Sequence, residues 1–76
     1  MLAEQAKLSE LCKQDDIPEI IARHWMRRGL WYTTRPNQEP MITLDSWRHY
    51  LRNYRHGCKQ DPEFAARYLR EAMESH

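Results

Sequence analysis

A mainly α domain with a small two-stranded antiparallel wing is the fold class this sequence predicts, on three observations. Apolar residues recur at three- and four-residue steps in four separate stretches, the rhythm of amphipathic helices. One aromatic and β-branched run, Leu30-Trp31-Tyr32-Thr33-Thr34, breaks that rhythm and is followed by turn residues and a second short β-prone run. At 76 residues the chain has little interior to fill, so its three Trp, four Tyr and one Phe must supply much of the core.

The first helix is predicted from Ala3 to Gln14, with Leu8, Leu11 and Cys12 inward and Glu4, Lys7, Glu10 and Lys13 outward. Asp15-Asp16 breaks it. A second helix is predicted from Ile17 to Arg28. Asp16 serves as N-cap, Pro18 sits in the first turn where its missing N–H costs nothing, and Glu19 completes a D-x-x-E capping box. Gly29 stands where a left-handed C-cap is wanted. Ile17, Ile21 and Trp25 form the inward stripe, while Arg23 and Arg27 lie one turn apart on another face above Glu19. The short link between these helices is that of a helix-turn-helix.

Leu30–Thr34 and Met41–Thr43 then pair as a hairpin across Arg35-Pro36-Asn37-Gln38-Glu39-Pro40, whose prolines discourage edge pairing. Thr43 caps a third helix from Leu44 to His56. Leu44, Trp47, Leu51 and Tyr54 face inward, Tyr50 lies at the edge, and Gly57 ends the helix. Asp61-Pro62 opens a fourth, with Phe64, Tyr68, Leu69 and Ala72 on its apolar side. The expected organisation is a winged helix-turn-helix over residues 1–56, then a linker and a C-terminal helix over 57–76 for packing or partner contact.

The net charge of +1 conceals a strong segregation. Residues 1–20 carry two Lys against five acids, a net of −3, and residues 57–76 carry three bases against four acids, a net of −1. Between them, residues 21–56 hold seven Arg against only Glu39 and Asp45, a net of +5, together with three of the four His. An all-arginine block suits phosphate and guanine, which the forked guanidinium grips better than an ammonium does.

Other classes find less support. No apolar run approaches a membrane span, and Met1 to Lys7 lacks the basic-then-apolar layout of a secretory signal. Cys12 and Cys58 are expected as free thiols, with Cys12 a small buried hydrophobe. The two Cys and four His include no C-x-x-C or H-x-x-x-H pair, so neither zinc nor another cofactor is expected. No nucleophile elbow, phosphate-cradling glycine loop or carboxylate–His motif occurs, which predicts a protein that is not an enzyme and takes no small-molecule ligand.

The stretch Arg23-His24-Trp25-Met26-Arg27-Arg28-Gly29 resembles the second helix of lambda-type phage excisionases, which show R-R-W-V-R-E-C at that place. The longer run from Ile21 to Trp31 also resembles the start of MerR-type regulators, where a helix ends in Gly-Leu before a wing. The likeness covers about residues 8–54. It implies a bacteriophage recombination directionality factor, cytoplasmic in a bacterial host and associated with double-stranded DNA. Such a protein sets its second helix in the major groove and its wing along the minor groove. It would bend attachment-site DNA and assist an integrase of the tyrosine recombinase type, with neighbouring copies on adjacent sites. Arg23, His24 and Arg27 would then be the groove readers and Arg35 the wing contact. The long dimerisation helix of the MerR type has no counterpart here, which favours the excisionase side of the resemblance.

Each of these residues also has a plainer reading. Trp25 is core, and Trp31 is expected in the core or at the wing base, with an exposed platform on which single strands stack as the sharper alternative. Arg23 and Arg27 can pair with Glu19, His24 can sit at the edge of the core, and Arg28 can complement the helix dipole beside Gly29. Arg48, Arg52 and Arg55 either hold backbone phosphate or merely solubilise the third helix. A small transcriptional repressor or activator on the same scaffold, and an adaptor gripping an acidic protein, stay open as alternatives.

Overall fold

The computed structural model describes residues 4–74. Among them the chain forms β1 (Gln5–Lys7), α1 (Leu8–Asp15), α2 (Glu19–Arg28), β2 (Tyr32–Thr33), β3 (Met41–Thr43), α3 (Leu44–Gln60) and α4 (Phe64–Glu74). The fold is therefore mainly helical with a small three-stranded antiparallel sheet in the order β1-β3-β2. Two strands were expected. The third is the segment read as the start of the first helix: Gln5, Ala6 and Lys7 pair with Thr43, Ile42 and Met41. Ala3, where that helix was expected to begin, lies outside the described residues.

β3 is central because it pairs on both edges, with Tyr32 and Thr33 opposite Ile42 and Met41 on its other side. Ile42 is accordingly fully buried. Backbone bonds extend the pairing beyond the strands: the Leu44 N–H donates to Glu4 O and the Thr43 N–H to Trp31 O, both at 3.0 Å. The predicted strand Leu30–Thr34 is shorter than expected. Leu30 turns into the core, and Trp31 is 72% exposed, contrary to its expected place in the core or at the hairpin base.

The junction of α1 and α2 also departs from expectation. Asp16 is not an N-cap. It adopts the left-handed conformation (φ 55°) and closes α1, its N–H bonding Cys12 O. α2 starts at Glu19, with Pro18 at the cap position and no side-chain cap bond. Glu19, free of the capping box, pairs with Arg23 instead. Gly29 does close α2, at φ 121° with its N–H on Trp25 O.

The core is built around two indoles. Trp25 and Trp47 meet edge-on at 5.1 Å between ring centres, and Leu8, Leu11, Ile17, Ile21, Leu30, Ile42 and Leu51 close round them. Tyr50 and Tyr54 of α3 also pack on Trp25, both at 5.8 Å. The Trp47 indole N–H donates to Asp15 Oδ2 at 2.8 Å, which fastens the end of α1 to α3.

α3 runs through Gly57 to Gln60, four residues past its expected end at His56, so the expected domain boundary falls inside a helix. The glycine there makes room: a Cβ at position 57 would stand 2.6 Å from Phe64 Cζ. Asp61 then serves both helices. Its N–H bonds Gly57 O at the end of α3, and its Oδ1 accepts the Glu63 N–H at 2.9 Å to open the turn before α4. Phe64 and Tyr68 pack against Tyr54, the second edge-on, and α4 docks against α2 and α3.

Candidate nucleic-acid interface

The predicted surface begins with α2. Because Ile21 and Trp25 face the core, the helical repeat turns Glu19, Arg23 and Arg27 outward, and all three are exposed. Arg23 is held along the helix by its own neighbour, Nε and Nη2 both donating to Glu19 Oε1 at 3.1 and 2.8 Å. An exposed pair of this spacing contributes only about 0.3–0.5 kcal/mol, so it orients the guanidinium without locking it away. Arg28 is exposed at the last turn, and its carbonyl accepts the Tyr50 hydroxyl at 3.0 Å.

The hairpin turn places Arg35 first, Pro36 second and Asn37 third at φ 62°, closed by the Gln38 N–H on Arg35 O at 3.2 Å. Proline before a positive-φ asparagine is the pattern of a type II turn. Arg35 is exposed there. The returning arm is tied to α1: Glu39 Oε1 accepts the Ser9 N–H at 2.8 Å and Pro40 O accepts the Leu8 N–H at 3.0 Å. Hydrogen bonding from Ser9 holds the Glu39 carboxyl below its ordinary value.

Cys12 is a free thiol on α1. Its half-buried thiol is pushed up to about 11, first by burial, then by the negative charge of Glu19, with Arg23 opposing and Glu39 reinforcing. One side chain of α1 thus feels both the first turns of α2 and the returning arm of the hairpin. At neutral pH the thiol stays protonated and behaves as a small hydrophobe.

Two predicted contacts do not join this surface. His24 is 4% exposed, in the seam between α2 and α4, with its ring edge-on to Tyr68 at 5.4 Å. It is not presented alongside Arg23. Its Nδ1 has no hydrogen-bond partner among the described residues, and burial, reinforced by Arg28 and Arg27, lowers its pKa. Arg48 lies on α3 beside Asp45, at 3.3 Å, and belongs with Arg52, Arg55, His56 and Lys59 on another face. Neither His56 nor Lys59 was expected as a contact residue. Their signal was the continuation of the 48, 52, 55 spacing to 59, hidden by reading Gly57 as a stop.

No group of three or more His, Cys, Asp or Glu among the described residues is arranged to hold a metal ion, and no described helix is long and apolar enough to cross a membrane. Compared with protein-family models, with curated proteins and with solved structures, the chain gives no significant match.

Proposed function

We propose that this chain is a winged-helix DNA-binding protein of the excisionase kind, acting without catalysis by binding and bending attachment-site DNA for an integrase. The observation that carries the reading is the outward face of α2. Arg23 and Arg27 stand one turn apart on the face of α2 opposite Trp25, and Arg35 is exposed at the turn of the hairpin that follows. The element order β1-α1-α2-β2-β3-α3, with β3 at the sheet centre, supports a helix-turn-helix followed by a wing. In this reading α2 enters the major groove, the hairpin lies along the minor groove, and neighbouring copies accumulate bend. A bend of 40–90° costs on the order of 1–6 kcal/mol, which several modest interfaces offset.

Binding to a labelled duplex of attachment-site or selected sequence, followed by fluorescence anisotropy across a salt series, tests this. Each phosphate contact contributes about 0.9 to the slope of log affinity against log salt, so R23Q/R27Q should flatten it by up to about 1.8. No binding in low salt, or an unchanged slope in the double variant, sinks the proposal. Permuted-site gel shifts read the bend, and direct repeats rather than a palindrome in the selected sites separate an excisionase from a dimeric repressor.

A further inference from the structure

We propose that the outer stripe of α3 is a second phosphate-backbone site, through which one molecule holds a second duplex segment. Arg48, Arg52, Arg55 and Lys59 recur at i, i+4, i+7 and i+11 on one helix whose length is unbroken through Gly57. At 1.5 Å per residue they span about 16 Å, a straight row of permanent cations. With Leu51 and His56 they line a shallow groove of about 450 Å³, and no carboxylate contributes to its wall.

The acids nearby are already committed. Asp45 reaches Arg48 from the N-terminal end, and Asp15 stands 3.7 Å from Arg55 while it accepts the Trp47 indole N–H. Among the described residues no carboxylate pairs with Arg52 or Lys59. The row therefore carries more positive charge than its surroundings neutralise.

Linear cation spacing and forked donors suit a string of phosphates. A folded acidic protein is the poorer occupant, because protein interfaces centre on buried apolar or aromatic anchors. This groove offers only Leu51, itself nearly buried in the core.

Position gives the row its consequence. Arg23 and Arg27 lie on the side of α2 turned from Trp25, and the row lies on the side of α3 that does not carry Trp47 and Tyr54. Trp25 and Trp47 pack where α2 meets α3. Two basic surfaces on separate helices of one small domain can contact two duplexes at once. Bridging rests on the DNA reading of α2; the affinity of the α3 row for phosphate does not.

The test uses the full chain with duplexes of about 20 base pairs in low salt, about 50 mM, where phosphate contacts are strongest. Anisotropy reports binding of one duplex, and bead-immobilised duplex reports retention of a second, labelled one. R52Q/K59Q is expected to keep binding to the first duplex while losing second-duplex retention by ~10-fold or more. Retention unchanged in that variant overturns the proposal, since bridging would then come from paired protein copies. Wild-type binding without any retention overturns it too, and leaves the α2 reading standing. Loss of single-duplex binding in R52Q/K59Q but not in R23Q/R27Q keeps the row as a phosphate site and removes the α2 reading instead. A glutamate-rich peptide that shifts the Arg52 side-chain NMR signal where the duplex does not also overturns the proposal.

Discussion

Replacing Asp15 with alanine tests the joint that fastens α1 to α3. Asp15 Oδ2 accepts the Trp47 indole N–H at 2.8 Å, and that indole is almost fully buried. With the carboxylate gone, the N–H is stranded in the core, and a lost hydrogen bond to a charged group costs about 1.5–3 kcal/mol. Two smaller effects run the other way. A negative charge at the last residue of α1 opposes the helix dipole by about 0.3–1 kcal/mol, and alanine is the better helix former by several tenths. The nearby Arg55 at 3.7 Å is half-exposed and adds little. The net destabilisation is therefore about 1–2 kcal/mol, which in a domain of this size lowers Tm by roughly 4–16 °C. D15N retains an acceptor and should lose less than half as much. Urea unfolding followed by far-ultraviolet circular dichroism measures both. The decisive comparison is the D15A/W47F cycle, where a coupling of about 1 kcal/mol or more is expected because phenylalanine has no N–H to strand. A D15A protein within about 0.5 kcal/mol of wild type, or a coupling near zero, refutes the reasoning.

Further predictions follow from the α2–α4 and α3–α4 seams. G57A drives a methyl group into the Phe64 ring, and overpacking of about 1–3 kcal/mol outweighs the roughly 1 kcal/mol that alanine returns to the helix. Amide exchange should quicken in α4 and not in α1; a protein more stable than wild type with α4 still protected counts against this. His24 is held neutral in the folded state, its pKa lowered from 6.5, so the unfolded chain binds its proton first as pH falls. Stability is then complete above about pH 7 and declines as pH drops through 6.5 toward the lower folded value. H24F, which keeps a ring against Tyr68, should flatten that part of the urea-unfolding profile, and an equal decline in H24F assigns the effect elsewhere.

The inward stripes were legible in the sequence because they depend only on the helical repeat. Leu8 and Leu11, Ile21 and Trp25, and Trp47 and Leu51 are all buried where their spacing places them. Met41–Thr43 was legible from β-branching between turn residues and a helix, and Asp61 from the acid-then-proline pattern. β1 was not. Gln5-Ala6-Lys7 has a single apolar residue, too short an alternation to see, and its strand exists only through pairing 34 to 38 positions along the chain. Gly57 misled for a different reason. Its missing side chain serves a neighbour's ring and not a helix end, which only the return of α4 discloses. His24 was open to two readings, groove contact and edge of the core, and the contact with Tyr68 that goes with its burial has no local pattern to announce it.

Pairing of Gln5 with Thr43 imposes an order on synthesis. β1 has no partner until 34 to 38 further residues have been added, among them the whole of α1 and α2. Loop-closure entropy grows slowly with such a separation, but none of it is repaid before β3 arrives. The place of β1 in the sheet can thus be filled only once β3 has been made.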